Sequence, residues 1–106
     1  MTMPRIRVPS QARKGEVIEI KTLIAHPMET GHRRDTQGQL IPRQIIHTFT
    51  CIYNGAEVFR ADWHPAVAAN PYLVFYTVAT ESGELRFEWV DDAGTIYRAE
   101  AEITVV

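Results

Sequence analysis

Cysteine is nearly missing from this sequence: Cys51 is the only one in 106 residues. An internal disulfide is excluded, as are CxxC zinc and redox motifs. No apolar run approaches the ~20 residues that a membrane helix needs. Positive charge is not in surplus. Lys and Arg number 11 against 13 Asp and Glu, a formal net charge of -2. That gives no support to nucleic-acid binding, whose footprint is a basic excess. The opening "MTMPRIRVPS" has arginines but no apolar h-region, so it is not read as a secretory signal, and alone it suggests the cytoplasm. Repeats, low-complexity tracts, linkers, glycine-rich phosphate loops and nucleophile elbows are all missing.

What is present is a globular composition, 45% hydrophobic and 23% charged. The length suits one domain, 1–106, with one core. Turn residues recur regularly and the segments between them are short, which favours strands. "IRV" (Ile6 to Val8), bounded by Pro4 and Pro9, is a candidate edge strand. "EVIEIKTLIAH" (Glu16 to His26) follows Gly15 and is β-branched. A loop runs from Pro27 to about Pro42. "QIIHTFTCIY" (Gln44 to Tyr53) and "AEVFRADW" (Ala56 to Trp63) flank Asn54-Gly55, a pair that tolerates the positive φ of a type I′ hairpin turn. "YLVFYTVAT" (Tyr72 to Thr80) and "ELRFEWV" (Glu84 to Val90) follow. "DDAG" (Asp91 to Gly94) then turns the chain into "TIYRAEAEITVV". The expectation is an all-β, immunoglobulin-like antiparallel sandwich of about seven strands, without the disulfide of antibody domains.

Two strands alternate cleanly. Leu85, Phe87 and Trp89 share one face, as do Tyr97, Ala99, Ala101, Ile103 and Val105. Three do not. In "QIIHTFTCIY", Ile45, Phe49 and Tyr53 oppose Ile46 and Ile52. In "YLVFYTVAT", Leu73 and Phe75 oppose Tyr72, Val74, Tyr76 and Val78. Both faces of "VIEIKTLI" carry aliphatics. A half-solvated strand shows one polar face. The second face here is covered either by a partner surface or by a long loop of the chain itself.

Chemistry-bearing residues concentrate in "AHPMETGHRRD" (Ala25 to Asp35), where His26, Glu29 and His32 fall at every third position. On a helix that spacing shares a face, but Pro27, Gly31 and the loop setting oppose a helix. Zinc would need His64 or Asp35 to complete the set, and no known ligand spacing is matched. A blue-copper site wants two His, a Cys and a weak axial Met following the Cys in one loop; Cys51 lies in a strand and Met28 far upstream. His47 and Cys51 share a strand face but stand about 13 Å apart, beyond hydrogen-bond reach. Cys51 reads as a small core or interface residue. His32, Arg33 and Arg34, with Arg43 nearby, form either an anion site or a solvated loop. Asp91 and Asp92 read as turn formers. No convincing catalytic set emerges.

Three stretches, "GEVIEIKTLIAHPMETGHRRD", "IPRQIIHTFTCIYNGAEVF" and "ANPYLVFYTVATESGELRFEWVDDAG", resemble the SoxZ family of sulfur-oxidation proteins in order and spacing. The resemblance spans essentially the whole chain. It implies a non-catalytic subunit with no cofactor that forms a heterodimer with SoxY. SoxY bears sulfur intermediates of thiosulfate oxidation on a cysteine in a flexible, glycine-flanked C-terminal arm. The resemblance also implies a periplasmic address, reached by export with the signal-bearing partner, against the cytoplasmic suggestion above. This chain ends "AEITVV", so the carrier role is not moved onto Cys51. The expected partner interface is Ile46, Ile52, Tyr72, Val74 and Tyr76. His32, Arg33 and Arg34 are expected near the docked carrier arm, favouring its anionic cargo. The alternatives are a stand-alone adaptor that homodimerises through the same apolar faces, and a metal- or cysteine-dependent enzyme.

Overall fold

The computed structural model describes residues 4–106. Its strands are β1 (Arg5–Arg7), β2 (Gln11–Ala12), β3 (Val17–Leu23), β4 (Ile46–Tyr53), β5 (Ala56–Asp62), β6 (Tyr72–Val78), β7 (Gly83–Asp91) and β8 (Ile96–Val105). They form a three-stranded sheet, β1-β3-β6, and a five-stranded sheet, β2-β8-β7-β4-β5. The chain is thus an all-β sandwich. The strand that sequence reading does not anticipate is β2. It pairs in parallel with the end of β8, Gln11 against Thr104 and Ala12 against Val105, and two residues are too few to show a period.

The inner faces follow the side-chain alternation. Ile18, Ile20 and Phe75 from the smaller sheet meet Phe49, Cys51, Leu85, Phe87, Trp89 and Ile103 from the larger. Phe49 lies at the centre. Its ring contacts Phe75 across the sandwich at 5.7 Å, Trp89 at 5.1 Å, and also Phe59, Trp63 and Phe87. Phe59 stacks on Phe75 at 4.3 Å. Each such pair adds roughly 0.5–1.5 kcal/mol beyond burial alone.

The uneven pattern of "QIIHTFTCIY" has a geometric cause. Ile46 pairs with Asp91 but Thr48 pairs with Val90, so His47 is an extra residue in β4. A bulge of this kind reverses which side the preceding residues face. Ile46 therefore turns inward with Phe49 and is fully buried.

Turn chemistry closes the hairpins. Asn54 and Gly55 have φ of 48° and 84°, as the type I′ reading of this turn requires. The Asn54 side chain then clips the start of β7. Its Oδ1 accepts the Glu84 N–H at 3.0 Å and its Nδ2 donates to the Ser82 carbonyl at 3.3 Å. Gly83 leaves room for this: a Cβ there would fall 1.8 Å from Asn54 Oδ1. Gly83→Ala should displace Asn54 and cost about 1–3 kcal/mol in urea unfolding. In an Asn54→Gly background the same change should cost much less. Equal costs in both backgrounds would disprove the clip.

Candidate functional site

The two sheets differ in what their outer faces show. The outer face of β7 and β8 carries a row of ion pairs. Arg98 meets Glu88 at 2.8 Å, and Arg86 meets Glu84 at 3.3 Å and Glu100 at 3.7 Å. On β5, Arg60 meets Glu57 at 3.3 Å. The outer face of β3 and β6 is instead largely apolar. Cross-strand partners place Val17 beside Val78, Glu19 beside Tyr76, Lys21 beside Val74, and Leu23 beside Tyr72. Exposure reaches 63% at Val17, 60% at Tyr72 and Tyr76, 44% at Val78 and 36% at Leu23. Contiguous exposed apolar surface of this kind marks an interaction site. The Tyr76 hydroxyl donates to Glu19 Oε2 at 3.0 Å, and that acceptor holds the phenol's pKa above its usual range.

Tyr72, Val74 and Tyr76 thus lie together on one exposed face. Two other expected interface residues do not join them. Ile46 is a core residue, turned inward by the bulge at His47, so it cannot present a docking surface. Ile52 is half-buried on the opposite sheet, flanked by its partners Glu57 and Arg86. Val17, Leu23 and Val78 complete the patch. Val78 already shares the outward parity of Tyr72, Val74 and Tyr76 in "YLVFYTVAT". The signal for Val17 and Leu23 is the double-sided aliphatic pattern of "VIEIKTLI", but only the β3–β6 register shows that they adjoin Tyr72 and Tyr76.

The stretch "AHPMETGHRRD" forms one limb of an ordered arm that leaves the sandwich at the Leu23–Tyr72 end. Isolated antiparallel bridges join Glu29 to Gln44 and Arg34 to Leu40. Asp35 turns the tip by accepting the N–H groups of Gln37 and Gln39. Gly31 lets the limbs close: a Cβ there would fall 2.9 Å from that of Arg43. The expected ligands part ways. His26 is buried at the arm's root, where its Nδ1 accepts the Met28 N–H at 2.9 Å and its Nε2 faces Asp91 Oδ2 at 3.6 Å. Glu29 holds Arg33 through a bidentate contact, with Nε to Oε2 at 3.1 Å, which keeps the carboxyl below its usual pKa. His32, Asp35 and His64 are exposed. Among the described residues no group of three or more His, Cys, Asp or Glu gathers to hold a metal ion.

The basic cluster is likewise dispersed by its own contacts. Arg33 is matched by Glu29, Arg34 Nη1 donates to the Gly38 carbonyl at 2.7 Å, and His32 is exposed beside them. Arg43 pairs with Asp92 through two bonds of 2.8 Å, which lower the Asp92 pKa. Both aspartates do more than turn the chain. Asp92 also accepts the Ile45 N–H. Asp91 is buried and accepts from the Ala93 and Thr95 N–H groups and from the Tyr97 hydroxyl at 2.9 Å.

Cys51 is fully buried in the core, and burial pushes its thiol up to about 12. The thiolate is the nucleophile, so this thiol is inert in the folded chain. Alkylation at pH 8 should proceed only as fast as the chain opens, whereas urea-unfolded protein should react at the rate of a free thiol. The shift also has a stability signature. A raised folded pKa contributes fully below the unfolded value of about 9, and the contribution is lost as pH climbs toward 12. Cys51→Ala should flatten that alkaline limb of the stability curve.

No curated protein sequence matches the chain. Solved structures share its fold. A superoxide reductase (neelaredoxin) from Ignicoccus hospitalis superposes with a TM-score of 0.72 at 16% identity, over 98% of this chain and 80% of that one. The sulfur carrier protein SoxY from Chlorobium limicola f thiosulfatophilum gives 0.67 at 15% identity, over 97% and 78%. A superoxide reductase (neelaredoxin) from Archaeoglobus fulgidus gives 0.57 at 22% identity, over 96% and 87%. These likenesses are likenesses of fold. The family model described as sulphur oxidation protein SoxZ matches residues 6–102, nearly the whole chain, and the protein belongs to that family.

Proposed function

We propose that this chain is a non-catalytic binding subunit that pairs with a SoxY-like carrier protein in sulfur oxidation. The family match supplies the pathway class. One observation carries the binding role: the apolar outer face of β3 and β6, opposite a sheet whose outer face is closed by ion pairs. Leu23, Tyr72, Val74 and Tyr76 form the contact surface in this reading. Tyr72 is its anchor, because it borders a groove toward β1 and another lined by Trp63, Val67 and Pro71. A tyrosine between grooves offers a large area and few rotatable bonds, which favours it as a hot spot.

The arm has a place in the same reading. Its root adjoins Tyr72: the Ile24 N–H donates to the Pro71 carbonyl, and His26 and Asn70 bond each other. His32 and Arg34 at its exposed end stand toward the carrier's cysteine arm and its anionic cargo, while Arg33 braces the limb through Glu29. The family resemblance supports a periplasmic setting, with export alongside the signal-bearing partner. Homodimerisation through the same apolar face is the competing use of this surface.

Co-expression with a SoxY-like chain tests the central reading. A stable 1:1 complex is expected. Tyr72→Glu with Tyr76→Glu should weaken it by about 100-fold or more, since hot-spot losses are near 2 kcal/mol each. Tyr72→Glu alone should leave the melting temperature of the isolated subunit unchanged, because that side chain is exposed, whereas Tyr76→Glu should lower it slightly, since it faces Glu19 across the strand pair. Lack of a complex with the unaltered chain would refute the pairing. Charge removal by His32→Ala and Arg34→Ala should slow turnover of the assembled carrier while sparing the affinity; unchanged turnover would remove the arm from the mechanism.

A further inference from the structure

The apolar face has a charged border on one side only. In β1, Arg5 stands opposite Leu23 and Arg7 opposite Lys21. Ile6 lies between them and packs on the core beside buried Thr22, so alternation turns Arg5 and Arg7 outward, onto the Tyr72 face. Together with Lys21, Leu23 and Tyr72 they line an open groove. This arrangement is costly to leave unanswered. Arg7 and Lys21 are like charges directly across a strand pair, which destabilises a sheet. Glu19 lies 3.5 Å from Lys21 and also accepts the Tyr76 hydroxyl. Among the described residues, no carboxylate lies within ion-pair distance of Arg5 or Arg7.

The contrast with the other sheet is informative. There, Arg60, Arg86 and Arg98 each face a glutamate of this chain. On the β1 border of the apolar face the cations have no such match, although the whole chain carries a net charge of -2. Electrostatic complementarity at interfaces pairs a positive border with a negative one.

We infer that the occupant of this face is a different chain that sets carboxylates against Arg5 and Arg7 and an apolar patch against Leu23, Tyr72 and Val74. This rests on the proposed pairing and specifies the partner's surface. A second copy of this chain fits less well. Glu19 is the one carboxylate on the β1-β3-β6 outer face, and Lys21 and Tyr76 already engage it. Two copies face to face would bring their arginines together with no unengaged carboxylate there to receive them. The border therefore selects for a hetero-partner and speeds its approach, since fields from unmatched surface charges act mainly on encounter rates.

Stopped-flow association of the purified chain with a SoxY-like chain separates the claims. The association rate should fall at least about tenfold from low salt to roughly 0.5 M, as screened steering does. Arg5→Glu with Arg7→Glu should slow association by about tenfold at low salt while changing dissociation less than about twofold. Arg5→Lys with Arg7→Lys should retain the fast rate. A complex that forms at a rate indifferent to salt and to charge reversal would overturn the acidic border and leave the pairing intact. Failure of the unaltered chains to associate would instead overturn the pairing, and this inference with it. A stable low-salt homodimer of the isolated chain, dissolved by Tyr76→Glu, would assign the face to a second copy.

Discussion

The contact between Phe49 and Phe75 ties one sheet to the other, and most of the architecture depends on it. Phe49 is on β4, the strand between β7 and β5, and its ring also meets Phe87, Trp89, Phe59 and Trp63. In a chain with no disulfide, the inter-sheet attachment has to come from packed rings and aliphatic side chains. A buried aromatic cluster provides it through area and through edge-to-face and stacked geometry. Because the inner faces are committed to this cluster, each sheet has only its outer face left for other uses.

Those outer faces have been treated differently by the sequence. The larger sheet alternates buried apolar residues with charges that satisfy one another. Exposed ion pairs of this sort add little stability, but they keep a broad sheet surface hydrated and unattractive to other apolar surfaces. The smaller sheet carries valines, a leucine and two tyrosines outward, at a desolvation gain that is realised only when something covers them. In the proposed pairing, this division leaves one side hydrated and gives the other to recognition.

Much of this was readable beforehand where structure is local. The inward sets of β7 and β8 and the Asn54-Gly55 turn follow from period and turn chemistry. The bounds of β4, β6 and β7 also fall within a residue or two of the sequence reading. What escaped is non-local. A bulge at His47 depends on the partner strand, so Ile46 looked outward by parity alone. The kinship of Val17 and Leu23 with Tyr72 and Tyr76 exists only through β3–β6 pairing. The ion pairs that occupy Arg33 and Arg43 reach Glu29 and Asp92, and the second of these is far along the chain. His26, Glu29 and His32 at every third position raise the question of a shared ligand set, but His26 is a buried brace at the arm's root.

That root is fastened on two sides. Asn70 and His26 exchange backbone and side-chain bonds, and Asp92 holds Arg43 and Ile45 from the β7–β8 turn. Met28 adopts a φ of 50°, with its sulfur accepting the Ile46 N–H at 3.3 Å. The longest strand, β8, spans about 33 Å, so the arm accounts for much of a molecule 59 Å in its longest dimension. A projection of that reach is ordinarily floppy, and a floppy element must surrender its conformational freedom when it is captured. This one has already been ordered by folding. Whatever docks beside Tyr72 meets a fixed outrigger, and the entropy of arranging it was settled before the encounter.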